Sequence, residues 1–145
     1  MPGFQRLLVG CVLLGGLVVG CGPGEARLPP LHPVTGTVKF RGLPAKKFRV
    51  IFNPVSDIGR LQFSPSAITD DSGNFKLKSA KPDDGAPAGD YQVTFLWPDH
   101  FNTGDEIELK PEVDKLRGAY NNPQQSRFRI TVQPGVNTLP PFELN

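Results

Sequence analysis

Short segments of alternating apolar and polar residues and a high density of turn formers predict an all-β fold of sandwich type, and its cysteine-free body must be stable without cross-links. The alternation recurs around Val38, Val50, Phe95 and Ile130 with the period of two that belongs to strands buried on one side. Sixteen Gly and sixteen Pro in 145 residues provide turns between such strands, while ten Phe with many Val, Ile and Leu rule out simple disorder. Residues 34–145 have the usual size of one domain with one core.

The chain opens with Arg6 and an uncharged run from Leu7 to Gly20, rich in Leu, Val and Gly. It is shorter than the ~20 apolar residues a spanning helix needs. A positive start, an apolar stretch and small residues before a cleavage point form the secretory pattern. Residues 1–20 are therefore expected to be a signal peptide. Only Leu7 to Gly10 separate Arg6 from Cys11, which leaves no apolar region ahead of that cysteine and assigns it to the discarded segment. Residues 21–33 contain four prolines and no apolar period, the composition of a partly extended tether.

Past the tether, Val34, Gly36, Val38 and Phe40 share one face against Thr35, Thr37, Lys39 and Arg41. Gly42-Leu43-Pro44 turns the chain, and Phe48, Val50 and Phe52 repeat the alternation up to Pro54. Segments 67–70 and 74–78 flank Asp71-Ser72-Gly73, a hairpin signal in which the glycine takes positive φ without steric penalty. The strongest strand signal is Tyr91, Val93, Phe95 and Trp97 against Gln92, Thr94 and Leu96, which predicts a central strand ended by Pro98. Residues 99–125 lack strand periodicity, and Pro111 to Leu116 predicts one or two helical turns. Phe128, Ile130 and Val132 form a further strand, Pro134-Gly135 a turn, and 137–144 the last strand. Seven short strands make a two-sheet sandwich.

Val18-Val19-Gly20-Cys21 resembles the lipobox of bacterial lipoproteins, which implies a thioether-linked diacylglycerol on Cys21 and cleavage between Gly20 and Cys21. Plain secretory cleavage and an uncleaved anchor are the rival readings. Between Val34 and Leu144 a second resemblance runs through Val34-Thr35-Gly36-Thr37-Val38, Gly42-Leu43-Pro44, Val50-Ile51-Phe52-Asn53-Pro54, Thr69-Asp70-Asp71-Ser72-Gly73-Asn74-Phe75 and Gly89-Asp90-Tyr91-Gln92-Val93. These segments are similar to the successive signatures of carboxypeptidase-regulatory-like, or transthyretin-like, domains. The resemblance implies a seven-stranded prealbumin-like Greek-key sandwich that serves as an accessory, adhesive or scaffold module. A hydrolase branch of that fold carries paired histidines and ends in Tyr-Arg-Gly-Ser; this chain ends Phe142-Glu143-Leu144-Asn145, so its activity is not implied.

Charge excludes little but points away from nucleic acid. Residues 1–20 hold one basic residue and no acid, so their removal lowers the formal net charge from +2 to +1. Lys39, Arg41, Arg49, Lys76, Lys78, Arg127 and Arg129 all occupy outward phases, where they form a basic face for anionic envelope polymer or simply keep solvent faces soluble. Asp70-Asp71-Ser72-Gly73-Asn74 has oxygens for a cation but not the spacing of a calcium loop, and the same residues suit a tight turn. Asp83, Asp84 and Asp90 read as solvated loop acids. His32 and His100 are the only histidines and lack metal-ligand spacing, and no Ser or Cys stands in a nucleophile context. Tyr91, Phe95 and Trp97 could stack on sugars, but their phase places them with Val93 in the core.

The expected protein is therefore a cell-envelope lipoprotein facing the periplasm or exterior, held to the membrane by Cys21. Its sandwich is a non-enzymatic structural or protein-interaction module without cofactor or metal, with an envelope protein or anionic polymer as partner. The alternative is a carbohydrate- or cation-binding module using the loops around 99–125.

Overall fold

Val34 to Phe40 forms the strand on which one half of the molecule is assembled, and its two edges are occupied by different pairs of short segments. The computed structural model describes residues 29–56, 63–102 and 110–145. The expected signal peptide, Gly20, Cys21 and the first part of the tether lie outside the described residues. In chain order the strands are β1 (Leu31–His32), β2 (Val34–Phe40), β3 (Leu43–Pro44), β4 (Arg49–Pro54), β5 (Ser66–Ile68), β6 (Asn74–Lys76), β7 (Ala86–Pro87), β8 (Gly89–Leu96), β9 (Arg129–Val132), β10 (Asn137–Thr138) and β11 (Phe142–Leu144). Along one edge β2 pairs antiparallel with β6 and then β3; along the other it pairs in parallel with β10 and then β11. A second sheet runs β5-β4-β8-β9, antiparallel throughout, and puts β8 in the interior position expected for it.

The inward phases of the two sheets meet as the alternation predicts. Val34 and Val38 of β2, Val50 and Phe52 of β4, and Tyr91, Val93 and Phe95 of β8 are almost fully buried. Aromatic rings bridge the layers: Phe52 lies 6.4 Å from Phe75, and Phe95 5.3 Å from Phe142, both edge-on. Edge-on pairs of this kind add about 0.5–1.5 kcal/mol to the area they bury. The Tyr91 hydroxyl donates to the Pro87 carbonyl at 2.8 Å, and burial pushes its pKa up to about 12. The result is an all-β, sandwich-like domain.

Four local features depart from the sequence expectations. The segments around Asp71-Ser72-Gly73 do form a tight turn, closed by Asp70, whose carboxylate accepts the amides of Ser72 and Asn74 at 2.9 Å each. Gly73 has φ +77, and a Cβ there would lie 2.4 Å from the Val38 carbonyl oxygen. The two arms diverge, however: β5 joins β4 in one sheet and β6 joins β2 in the other. The expected last strand splits into β10 and β11, because Pro140 and Pro141 between them have no N–H to pair with β2.

The end of the segment expected to be a tether is docked on the domain. β1 pairs antiparallel with β7, and the Gly135 amide donates to His32 Nδ1 at 3.0 Å. Gly85 permits this approach: it has φ +84, and a Cβ there would stand 1.8 Å from the His32 carbonyl oxygen. His32 thus has a structural partner that its sequence neighbours did not reveal.

No helix forms over Pro111 to Leu116. The Asp114 carboxylate accepts the amides of Trp97, Leu116 and Gly118 at 2.9–3.0 Å, and Arg117 and Gly118 turn left-handed with φ of 54° and 78°. In a helix the Gly118 amide would donate to the Asp114 carbonyl; here the side chain takes it instead, the local competition that makes Asp a weak helix former. A short 3-10 turn at Pro123–Gln125 follows, with the Asn122 side chain accepting from the Gln124 amide. Among the described residues no helix is long and apolar enough to cross a membrane.

Candidate functional site

The connection that leaves β8 is tied to itself at two points and to β4 at a third, and the cleft of interest lies at its start. Residues 97–99 and 113–115 form a small antiparallel ribbon: Lys115 N–H donates to the Trp97 carbonyl at 2.8 Å and Asp99 N–H to the Val113 carbonyl at 3.0 Å. The Asp99 carboxylate accepts the Val113 amide at 3.0 Å and pairs with His100 Nδ1 at 2.7 Å. The Val113 amide above all, with help from His100 and against the opposing effect of burial, holds Asp99 below its ordinary carboxylate range. The third point is Arg49, whose two guanidinium nitrogens donate to the two carboxylate oxygens of Glu112 at 2.7 and 3.0 Å. That donation keeps Glu112 ionised to lower pH than an ordinary glutamate, although burial pushes the other way.

Beside this ribbon lies a cleft of about 530 Å³, with Trp97, His100 and Phe101 on one side and Lys46, Lys47 and Lys115 around it. Trp97 belongs to an aromatic cluster in which its ring stacks on Phe48 at 5.0 Å and meets Phe40 edge-on at 5.8 Å. Lys115 Nζ lies 4.9 Å from the centre of the same ring. A cation over an aromatic at an exposed site contributes about 0.5–1 kcal/mol, so this contact is easily exchanged. The lysines of the opposite rim are positioned by buried Thr69, whose hydroxyl accepts the Phe48 amide at 2.8 Å and donates to the Ala45 carbonyl. The turn between Ala45 and Phe48 puts Lys47 at φ +59, with its amide donating to the Thr69 carbonyl. Lys46 pairs with Asp71 at 2.8 Å; among the described residues Lys47 and Lys115 have no ion-pair partner.

Chemically the cleft offers three lysines, the Asp99 carboxylate and aromatic side chains. None of its described lining residues carries a hydroxyl or thiol. Both His100 nitrogens face acceptors, Asp99 on one side and the Lys110 carbonyl at 3.3 Å on the other, so the ring acts as a clamp. Among the described residues no group of three or more His, Cys, Asp or Glu is placed to hold a metal ion.

The seven outward cations do not share one face. Lys39 and Lys76 lie on the β2 sheet, paired with Glu143 at 3.2 Å and Asp83 at 3.8 Å. Arg41 sits in the following turn over the Phe40 ring, and Lys78 bridges to Ser66 through its backbone. Arg49 and Arg129 belong to the other sheet, where Arg49 is committed to Glu112. Arg127 donates to the Glu143 carbonyl at 3.1 Å and lies over Phe128. Of the loop acids, Asp84 accepts the amides of Ser79, Ala80 and Lys81, while Asp90 accepts from the Thr131 hydroxyl. Tyr91 and Phe95 are core, as their phase requires, and Trp97 is only partly buried.

Comparison with known proteins adds little. No family model matches the chain, and no curated protein matches it. Among solved structures a 9R-lipoxygenase from Cyanothece PCC8801 aligns with 85% of this chain and 18% of its own length, at 13% identity and a TM-score of 0.40. A likeness at that level carries no argument about this protein.

Sequence reading missed the cleft because its cations come from separate segments. Lys46 and Lys47 stand in a turn between strands and Lys115 in a stretch without periodicity. The available signal was the position of Trp97, the chain's one tryptophan, at the end of its strongest strand and next to Pro98.

Proposed function

We propose that this protein is a lipid-anchored component of a bacterial cell envelope whose β-sandwich is a non-enzymatic structural or protein-interaction module. The observation that carries the reading is Val18-Val19-Gly20-Cys21 at the end of the Leu7–Gly20 apolar run, ahead of a body that contains no other cysteine. Cleavage between Gly20 and Cys21 makes the cysteine the first residue of the mature chain. A diacylglycerol on its sulfur supplies two chains, and two are enough for stable anchoring where one is marginal. Residues between Cys21 and the docked β1 then join the domain to the bilayer.

The finer fold assignment belongs to the same proposal. Counting β6 with β3 as one edge of β2, and β10 with β11 as the other, leaves three strand positions facing the four of the second sheet. That arrangement is compatible with the seven-stranded transthyretin-like sandwich the sequence motifs resemble. A role as a module presented at a membrane needs no catalytic group, and the partner is an envelope protein or anionic polymer on the periplasmic or exterior side. Fractionation of cells expressing the wild type and Cys21→Ser tests the anchor: the wild type is expected in the membrane fraction and the variant outside it. Equal retention of both in the membrane contradicts the proposal.

A further inference from the structure

We infer that the cleft at Trp97 is a binding site for an acidic sugar, a pyranose ring bearing a carboxylate, of the kind found in anionic polysaccharides. The inference does not depend on how the chain is anchored. It rests on the juxtaposition of two kinds of group that the fold brings together from distant parts of the sequence: Lys46 and Lys47 on one rim, and Trp97 with Lys115 on the other.

The cations come first. Of the three lysines, Lys46 is paired with Asp71, whereas Lys47 and Lys115 have no ion-pair partner among the described residues. Lys47 stands at φ +59, where its N–H donates a hydrogen bond to the Thr69 carbonyl, so the backbone is fixed in a conformation that non-glycine residues rarely adopt. The turn thereby sets the Lys47 backbone at the rim of the cleft. The nearby acid, Asp99, is occupied by the Val113 amide and His100 and is not aimed at the lysines through any described bond. A carboxylate entering the cleft therefore meets two lysines that have no ion-pair partner among the described residues, with Asp99 the one acid of the described lining.

The aromatic side selects what carries that carboxylate. Phe48 backs one face of Trp97 at 5.0 Å and 21°, which makes the indole a rigid wall. Lys115 Nζ rests near the other face at 4.9 Å. Such a contact at an exposed site is weak. A carboxylate competes for the ammonium with a charge-assisted hydrogen bond, the stronger interaction. Drawing Lys115 off the ring uncovers an electron-rich face against which the C–H side of a sugar packs. A cleft of about 530 Å³ is of the size that holds a small ring-bearing ligand. Inorganic anions would bind the lysines without packing on the indole, and neutral sugars have no charge to draw Lys115 off it.

Trp97 is the chain's one tryptophan, so its fluorescence reports this cleft alone. The full-length chain in non-ionic detergent is titrated with trigalacturonate, with the methyl-esterified trisaccharide and with inorganic phosphate. The expected result is a saturable change with trigalacturonate that weakens as salt is raised, little or no change with the ester, and a clearly weaker change with phosphate. The double variant Lys47→Gln, Lys115→Gln is expected to bind at least tenfold more weakly with unaltered thermal melting; if its melting does shift, Lys115→Gln alone is expected to show a weaker but measurable loss. No saturable response at millimolar trigalacturonate, an equal response to the ester or to phosphate, or undiminished binding by the lysine variants would each overturn the inference.

Discussion

Arg49 in β4 and Glu112 in the long connection are 63 residues apart in sequence and form a two-pronged ion pair at 2.7 and 3.0 Å. Both side chains are largely shielded, with 29% and 24% exposure. The pair fastens the connection to the outer side of the β5-β4-β8-β9 sheet, and Phe101 lies over the same guanidinium at 5.5 Å. Replacing Glu112 with Gln leaves the guanidinium partly buried without its counter-charge, at an expected loss of about 1–2 kcal/mol. Chemical denaturation of Arg49→Gln, Glu112→Gln and the double variant checks this. The account expects the double variant to lose clearly less than the two single losses combined; simple additivity would mean that the two side chains do not stabilise each other.

Acid should weaken the fold through the carboxylates that bind amides and cations. Asp84 is pushed up by burial but held below its ordinary value by the combined amides of Ser79, Lys81 and Ala80, and Glu112 is held down chiefly by Arg49. In each case the unfolded chain takes up a proton at higher pH than the folded one. Their contribution is therefore complete above the ordinary values of 3.8 and 4.5, and is lost as pH falls through the lower folded values. Melting temperature is expected to be flat near neutrality and to drop below about pH 4.5. Asp84→Asn should flatten part of that drop, and an unchanged acid profile in this variant would remove Asp84 from the explanation.

The strands were legible in sequence where burial alone determines the pattern. Val34 to Phe40, Phe48 to Phe52 and Tyr91 to Phe95 alternate because one face of each meets the core, and a period of two is visible without knowing the partner strand. The turn at Asp71-Ser72-Gly73 was legible for a similar reason, since the glycine and the Asp70 carboxylate act within a few residues. Its arms joining different sheets was not, because strand pairing is decided by β2 and β4 far away in the chain. Pro111 to Leu116 reads as helix until Asp114 takes the amides a helix needs. The cleft was the least legible part: Thr69 sets the turn that carries Lys46 and Lys47, and Asp114 sets the ribbon that carries Trp97 and Lys115. Neither link has a sequence period.

The docking of β1 gives Gly85 a specific role. Alanine at this position would need both a left-handed backbone at φ +84 and a Cβ 1.8 Å from the His32 carbonyl oxygen. Because the obstacle is backbone, relief requires β1 to move away from β7. Gly85→Ala is expected to cost at least about 2 kcal/mol and to open the segment before Val34 to protease. Limited chymotrypsin digestion, with mass analysis of cleavage after Leu31, compares the variant with the wild type. Identical stability and digestion patterns would mean that β1 is not held as described.

The proposed anchor at Cys21 is tested by mass spectrometry of the N-terminal peptide of the protein purified from native membranes. The expected result is a mature chain that begins at Cys21 and carries a diacylglycerol in thioether linkage on its sulfur. A mature chain beginning at any other residue, or Cys21 recovered as an unmodified thiol, would contradict it.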